Sequence, residues 1–412
     1  MKKSILFAGL MMVAAMFIGC DKDHSPQTST SKLWPAATVS KNADGIEVEK
    51  WGFIDEKGNF VIGAAYEAVN SFSCGYALVQ VNGGSIFFID EKNNMQNAPE
   101  FIAVDPFFYY DHVGYKTSGK LWGMLDRNFE TVIQPAYAFL GYMSDAGLVV
   151  ARQSGADKYG YLDKKGDLVI PANFEDADQF EAGYAVVRMG STSGVIDTKG
   201  NYSISLQDKP LQNLGQERIG FADPTTWKGG FMDVKGNVIV QAMYDNYSKY
   251  GFTDVDLLAV KQSDKWGFMD KNGKVVIGLQ FYAASPFMNG YAWVKRAETS
   301  NYECIDEKGK SIFSLGENEV PDGMFRQGLC LVRKLESDGV SFKYVNEKGG
   351  LVYTWKLSSA NSYYYGGGEN GGGENGGDED YAPAKRVVKK SLEMDIDAMM
   401  APTKYGYRGL KK

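Results

Sequence analysis

The chain of 412 residues reads as an all-β protein built from tandem repeats, and three observations predict it. A nine-residue phrase, KWGFIDEKG at residues 50–58, returns along the chain at an almost constant spacing. Aromatic residues are plentiful, with 25 Tyr and 23 Phe, as strands favour. Glycine is frequent at 48 residues and falls where tight turns would need it.

The aspartate of the phrase is the ruler. It stands at Asp55, Asp90, Asp126, Asp163, Asp197, Asp233, Asp270 and Asp306, with Asn346 in the same place. The gaps are 35, 36, 37, 34, 36, 37, 36 and 40, so about nine copies repeat every 36 residues or so. Each copy opens on a short strand such as residues 51–55 or 266–270, whose side chains alternate between two faces. The turn Asp-x-x-Gly follows. There the Asp side chain accepts a bond from backbone two residues on, and Gly supplies a positive φ. A second strand comes at once, as at residues 59–62 and 274–277. A loop with an aromatic then leads to Gly and a third strand, as in GYALV at 75–79, GYAVV at 183–187 and GYAWV at 290–294. One copy is therefore a small β-meander of three strands, with room for a short fourth in its loop.

A unit of this size cannot cover its own apolar face and must stack on its neighbours. Trp51, Trp122, Tyr159 and Trp266 are the expected anchors between repeats, and the Gly after each marks a close approach of other backbone. Radial closure into a propeller-like array would hide strand edges, whereas an open superhelical array would leave them exposed. The propeller-like arrangement is preferred and the open array is the alternative. Some copies are worn: IFF replaces WGF at residues 86–88, Asn93 and Phe129 replace the turn Gly, and the fifth copy lacks an aromatic before Gly194. At Phe129 the chain is expected to need a different turn.

These motifs, above all WGFID at 51–55 and WGFMD at 266–270, resemble the WG (KWG) repeat of bacterial proteins. The resemblance covers residues 49–356 and implies an all-β repeat domain with no catalytic residues to carry over. The N-terminus resembles the signal of a bacterial lipoprotein. Lys2 and Lys3 precede an apolar stretch that ends at FIGC, residues 17–20, although Phe17 stands where that family has Leu. The resemblance implies cleavage after Gly19, acylation of Cys20, and a lipid anchor in the cell envelope, with the outer membrane as the expected address. An ordinary secretory signal or an uncut anchor is the alternative. The segment plan is then signal peptide 1–19, lipidated Cys20 and tether 20–48, repeat domain 49–362, Gly-rich acidic linker 363–380 and basic tail 381–412. The tail could form a short amphipathic helix that docks on an anionic surface or partner, or it could be solvated.

Composition narrows the chemistry. A net charge of −7 argues against general affinity for nucleic acid. Beyond Cys20, three cysteines remain, Cys74, Cys304 and Cys330, at no zinc spacing. Cys304 and Cys330 read as strands of one repeat held apart by another, so they are expected to be buried thiols. Only two histidines exist, His24 in the tether and His112 in a worn copy, leaving little material for a nucleophilic triad. The repeated Asp lacks the spacing of a calcium loop, and the repeated Gly lacks the setting of a phosphate loop. No cofactor or metal is expected. The expected function is non-catalytic binding or scaffolding of a protein or glycan, with exposed aromatics such as Tyr109, Tyr110 or Trp293 able to stack on sugar. The alternative is an enzyme, such as a carbohydrate hydrolase, with carboxylates assembled across repeats.

Overall fold

The computed structural model describes residues 31–358 except 46, 82 and 83. The expected signal peptide, Cys20, and the expected linker and basic tail lie outside the described residues. Within them every regular element is a strand, arranged in eight antiparallel sheets of three to seven strands. The seven-stranded sheet joins two units through one long strand, Thr131–Leu140, which pairs with Trp122–Asp126 by its first part and with Leu148–Gln153 by its last. Counted this way there are nine blades.

The blade of residues 246–281 shows the plan. A two-residue strand Asn246–Tyr247 pairs with Leu257–Gln262, which pairs with Lys265–Asp270, the KWG strand, which pairs with Val275–Phe281. The blade therefore has four strands, and the expected three-stranded meander is extended by the short first one. Its frame is also shifted against the sequence period. The KWG strand pairs on one side with the strand that precedes it from the previous copy, so each sequence copy is split between two sheets. Cys304 and Cys330 illustrate this: expected in one unit, they lie in the separate sheets of Glu303–Asp306 and Leu329–Glu336. Both are buried and in no disulfide, and the same holds for Cys74.

Alternation along the KWG strand works as read from the sequence, with both faces buried because blades stack on both sides. Trp266 and Phe268 join one cluster with Phe287, Trp293 and Cys304 of the following blade. Met269 joins another with Phe231 and Val240 of the preceding blade. Each large side chain buried in this way contributes about 1.5–3 kcal/mol. Of the expected anchors, Trp51 and Trp266 are buried, at 3% and 0% exposure. Trp122 and Tyr159 are only half-buried, and a cation from the neighbouring strand lies over each ring: Lys116 over Trp122 and Arg152 over Tyr159, both at 5.4 Å.

The Gly after the anchor has a steric reason. A Cβ built at Gly52, Gly123, Gly160, Gly230 or Gly267 would sit 2.3–2.6 Å from the carbonyl oxygen ten residues on, in the next strand. The pairing slips there, from Trp266↔Phe281 to Phe268↔Ile277, so a bulge presses backbone against backbone.

The turn is the same in every copy. Asp270 Oδ1 accepts from the N–H groups of Asn272 and Lys274, both at 2.9 Å, and Gly273 adopts φ +85°. The expectation of a different turn at Phe129 is corrected. Asp126 Oδ1 accepts from Asn128 and Glu130 at 2.8 and 2.9 Å, and Phe129 itself takes φ 63°. Its ring is packed among Tyr76, Phe88 and Phe108, with centroids 5.1–5.7 Å away, and that burial offsets the left-handed strain.

The tether ends earlier than residue 48. Residues Trp34–Lys41 form strand β1, paired along its whole length with β2, Glu47–Ile54, which in turn pairs with β3, Phe60–Tyr66. Its sequence, WPAATVSK, carries the small residues Ala36 and Ala37 at buried positions, so it fits a crowded junction. That junction closes the array. Tyr344 and Tyr353 near the C-terminal end donate their hydroxyls to the carbonyls of Pro35 and Ala37 at 2.8 and 3.0 Å. Trp34 Nε1 donates to the Arg326 carbonyl, and Trp51 meets Trp355 edge to face at 5.8 Å. The first and last blades share one core, so the array is propeller-like and the open superhelical alternative is set aside.

Candidate functional site

The last strand of each blade is the exposed one; Val275–Phe281, for example, alternates exposed and buried residues. The short first strands, at the other edge of each sheet, carry buried and half-buried residues and no exposed one. Just after each first strand, one residue donates its N–H to the second strand, and this position recurs as Asn70, Asp105, Gly141, Asp178, Ser248, Ser285 and Asp322. A loop then turns the chain into the second strand. Five of these loops are two-residue hairpin turns with positive φ at both positions: Cys74-Gly75, Tyr110-Asp111, Ala182-Gly183, Asn289-Gly290 and Gln327-Gly328. The loops and the Asp-x-x-Gly turns share one end of the ring, called here the loop face. The hairpins between second and third strands lie at the opposite end.

Of these five, Tyr110-Asp111 has no glycine, so the turn holds two side chains at φ 48° and 62°, as Gln216-Glu217 and Ser263-Asp264 do in other turns of the ring. Each such residue costs on the order of 1 kcal/mol, and strain of this kind gathers at functional sites. The strained loop presents Tyr109, whose ring stacks on Tyr142 of the next blade at 4.5 Å with an interplanar angle of 20°. Tyr142 remains 43% exposed. Beyond Tyr142, in the same and the following blade, lie Asp145, Asp178 and Glu181. Their charges act on one another: burial pushes Glu181 up to about 8, helped by Asp145 and then Asp178. Tyr142 is likewise held above its ordinary range, first by burial and then by Glu181 and Tyr109.

Side chains that bridge blades tie these loops together. Gln179 Nε2 donates to the Tyr142 carbonyl at 2.6 Å, while its Oε1 accepts from Val150 N at 3.1 Å. Asp145 accepts from Ala182 N at 2.8 Å, and Asn213 Nδ2 donates to the carbonyls of Glu181 and Tyr184. Arg188 pairs with Asp176 and Asp178 at 3.1 and 2.9 Å. Burial disfavours the Arg188 cation, but those two carboxylates outweigh it, so Arg188 stays charged. One blade before Tyr142, Asp105 is pushed up to about 7 by burial, in space that Gly114 leaves free: a Cβ there would meet Asp105 Oδ2 at 2.3 Å.

The structure places the sequence-derived candidates as follows. Tyr109 and Tyr110 fall in the site. Trp293 does not: it is 1% exposed and stacked on Phe325 at 5.7 Å, so its use as a sugar platform is corrected to core packing. His112 lies beside the strained loop with Nδ1 2.5 Å from the Tyr110 carbonyl, held by local backbone. Cys20 lies outside the described residues. Among the described residues, no group of three or more His, Cys, Asp or Glu side chains is placed to hold a metal ion. Sequence reasoning missed Tyr142, Asp145, Asp178 and Glu181. The available signal was the position after the short strand, which could be aligned only once that strand was known.

The arrangement offers aromatic faces beside hydrogen-bond acceptors and one carboxyl that holds its proton near neutrality. Comparison with known proteins bears on the scaffold. No curated protein matched the chain by sequence. Among solved structures, dihydro-heme d1 dehydrogenase NirN in complex with DHE is 13% identical, with a TM-score of 0.40 over 66% of this chain and 71% of that one. Hsv2 of Kluyveromyces marxianus is 9% identical, with a TM-score of 0.36 over 60% and 95%. Apo AztD from Citrobacter koseri is 11% identical, with a TM-score of 0.37 over 68% and 91%. The model of the WG containing repeat matches five stretches, residues 51–84, 122–155, 159–192, 230–266 and 266–297. The chain is a WG-repeat-containing protein.

Proposed function

We propose that the protein is a non-catalytic binding or scaffold protein of the bacterial cell envelope, held to the membrane by a lipid on Cys20, whose loop face binds a glycan. The observation that carries this reading is the stack of half-buried Tyr109 on exposed Tyr142, beside Asp145, Asp178 and Glu181. Tyrosine faces cover the apolar C–H surface of a sugar, and carboxylates accept from its hydroxyls. The strained Tyr110-Asp111 turn and the interblade bridges preorganise that surface, which lowers the cost of binding.

The test is a glycan array and a pull-down with residues 31–358, followed by titration of any ligand found. Replacing Tyr142 by Ala removes one aromatic face and is expected to weaken binding about tenfold, in line with roughly 0.5–1.5 kcal/mol for an aromatic contact. Capture of a protein that Tyr142→Ala does not weaken would move the binding surface elsewhere. For the anchor, Cys20→Ala should abolish incorporation of labelled fatty acid and membrane retention, and continued labelling would sink that part of the reading.

One observation favours the second reading, an enzyme. Glu181 is held protonated near neutrality next to two other carboxylates, and such an asymmetry suits a general acid in glycoside hydrolysis. Turnover of a bound glycan that Glu181→Gln abolishes would establish it. Saturable binding with no product favours the binding protein.

A further inference from the structure

The position just after the first strand does two things in some blades. Its N–H donates to the second strand, and its side chain accepts from the N–H of the same second-strand residue. Ser285 N donates to the Trp293 carbonyl at 2.8 Å, and Ser285 Oγ accepts from Trp293 N at 2.9 Å. Asp105 N donates to the Gly114 carbonyl at 2.8 Å, and the Asp105 carboxyl accepts from Gly114 N. The blade of Tyr142 keeps the first bond, from Gly141 N to the Val150 carbonyl at 2.9 Å, but Gly141 has no side chain to supply the second. Val150 is buried, so its N–H needs an acceptor from elsewhere in the protein.

The following blade supplies it. Gln179 Oε1 accepts from Val150 N at 3.1 Å, and Nε2 of the same amide donates to the Tyr142 carbonyl at 2.6 Å. Gly141 makes room for that amide: a Cβ there would stand 1.9 Å from Gln179 Nε2 and 2.8 Å from its Cδ. Gly141 does not adopt a positive φ, so space and not backbone conformation accounts for the glycine. A neutral amide suits both ends, since a carboxylate cannot donate to a carbonyl and an ammonium cannot accept from an N–H. Three residues further along both loops, Ala182 N donates to Asp145 at 2.8 Å. The loop of Tyr142 and Asp145 is thus pinned, at both of those residues, by the loop of Asp178 and Glu181.

We infer that Gln179 is the positioning residue of the tyrosine–carboxylate site. It takes over the cap that residue 141 gives up, and with the same amide it fixes the peptide of Tyr142, so that the Tyr142 ring is held against Tyr109. The role in binding rests on the glycan reading proposed above; the hold on Tyr142 does not. A cap alone would be met by a serine at position 141, as Ser285 meets it in its own blade. The two tasks of Gln179 are therefore separable.

The test uses full-length protein with 3-fluorotyrosine at position 142, as the parent and as three variants: Gln179→Ala, Gln179→Ala with Gly141→Ala, and Gln179→Ala with Gly141→Ser. The last two both add a Cβ at 141, which would also stand 2.9 Å from Val150 Cγ1, and they differ only by the hydroxyl. Amide exchange of the strand Leu148–Gln153, read by mass spectrometry, reports the cap. Gln179→Ala is expected to lose about tenfold in protection there. Adding Gly141→Ser is expected to restore it, and adding Gly141→Ala is not. Equal exchange in the two double variants would overturn the view that Gln179 replaces a cap from position 141.

The fluorine resonance at position 142 reports the stack, with Tyr109→Leu giving the unstacked reference shift. All three variants, including the one capped by Gly141→Ser, are expected to move toward that reference. A capped variant that keeps the parent's shift overturns the positioning role and leaves Gln179 as a cap only. The glycan array is the binding probe, and the capped variant is expected to lose about tenfold, as Tyr142→Ala does. Parent-level binding by the capped variant overturns the role in recognition. A parent that binds nothing on the array, with fluorine shifts as expected, overturns the glycan reading and leaves the hold of Gln179 on Tyr142 standing.

Discussion

The blade of residues 246–281 and the sheet around Trp122–Asp126 contain the same turn made from different residues. In the first, Gly273 adopts φ +85° and asks for no compensation. In the second, Phe129 adopts φ 63° and is 7% exposed, packed against the rings of Tyr76, Phe88 and Phe108. The turn aspartates of both make the same two bonds to backbone N–H. The comparison teaches that the aspartate and the bulged pairing specify the turn, while glycine is the cheapest residue for its third position. Where packing can offset the strain, a bulky residue serves.

The worn copies gain a different value in this light. The stretch from Tyr109 to Glu181 includes the worn turn at Phe129, and it carries the candidate site. Local strain at Tyr110-Asp111 is sustained because a rigid sheet on each side over-determines it. The regular blades supply stiffness, and the irregular loops supply chemistry.

The strongest way to break the comparison is at a glycine that both blades share. Gly267→Val and Gly123→Val each force a side chain into a carbonyl 2.6 Å away. Each is expected to cost about 3 kcal/mol or more and to lower the thermal midpoint of the whole ring, read by circular dichroism. A mild effect at either position would mean that the bulge can relax.

The next largest effect separates burial from strain. Phe129→Ala should cost about 3–5 kcal/mol by emptying an aromatic cluster. Phe129→Gly loses the same packing but relieves the positive φ, so it should be less damaging by about 1 kcal/mol. Equal losses in chemical denaturation would show that φ 63° carries no strain at this turn.

The smallest effect concerns the site. Glu181 rises from an ordinary 4.5 to about 8 on folding. Between those values the folded chain holds a proton that the unfolded chain has released, so stability falls as pH rises through that window. The full contribution is present below about 4.5 and is lost by about pH 8. Asp105, raised to about 7, acts with the same sign. Glu181→Gln should flatten the dependence of the thermal midpoint between pH 5 and 8 in proportion to its share. An unchanged slope would assign the whole dependence to Asp105 and other groups.

Much of the scaffold was legible in the chain. The period, the Asp-x-x-Gly turn, the alternation of Trp and Phe against Gly and Met, and the close approach at the repeated Gly all follow from local geometry that recurs in register. The site was legible only in part. Tyr109 and Tyr110 stood out as aromatics in a worn copy, but Tyr142, Asp145, Asp178 and Glu181 are scattered singly over forty residues of sequence. Trp293 looked equal to Tyr109 as an aromatic and was not, because the blade that buries it comes from residues more than thirty positions away.

By itself the sequence determined the local unit, since turn chemistry and side-chain period act within a few residues. Tertiary structure decided how the units are cut and joined. The sheet frame lies across two sequence copies because the KWG strand finds its best partner in the strand before it. The segment at residues 34–41, which looked like part of a tether, became the strand that closes the ring because its small buried residues and free carbonyls meet Tyr344 and Tyr353, some three hundred residues on. Edge pairing and charge coupling between loops are properties of distance in space, and a repeat unit read alone carries no information about which neighbour will supply them.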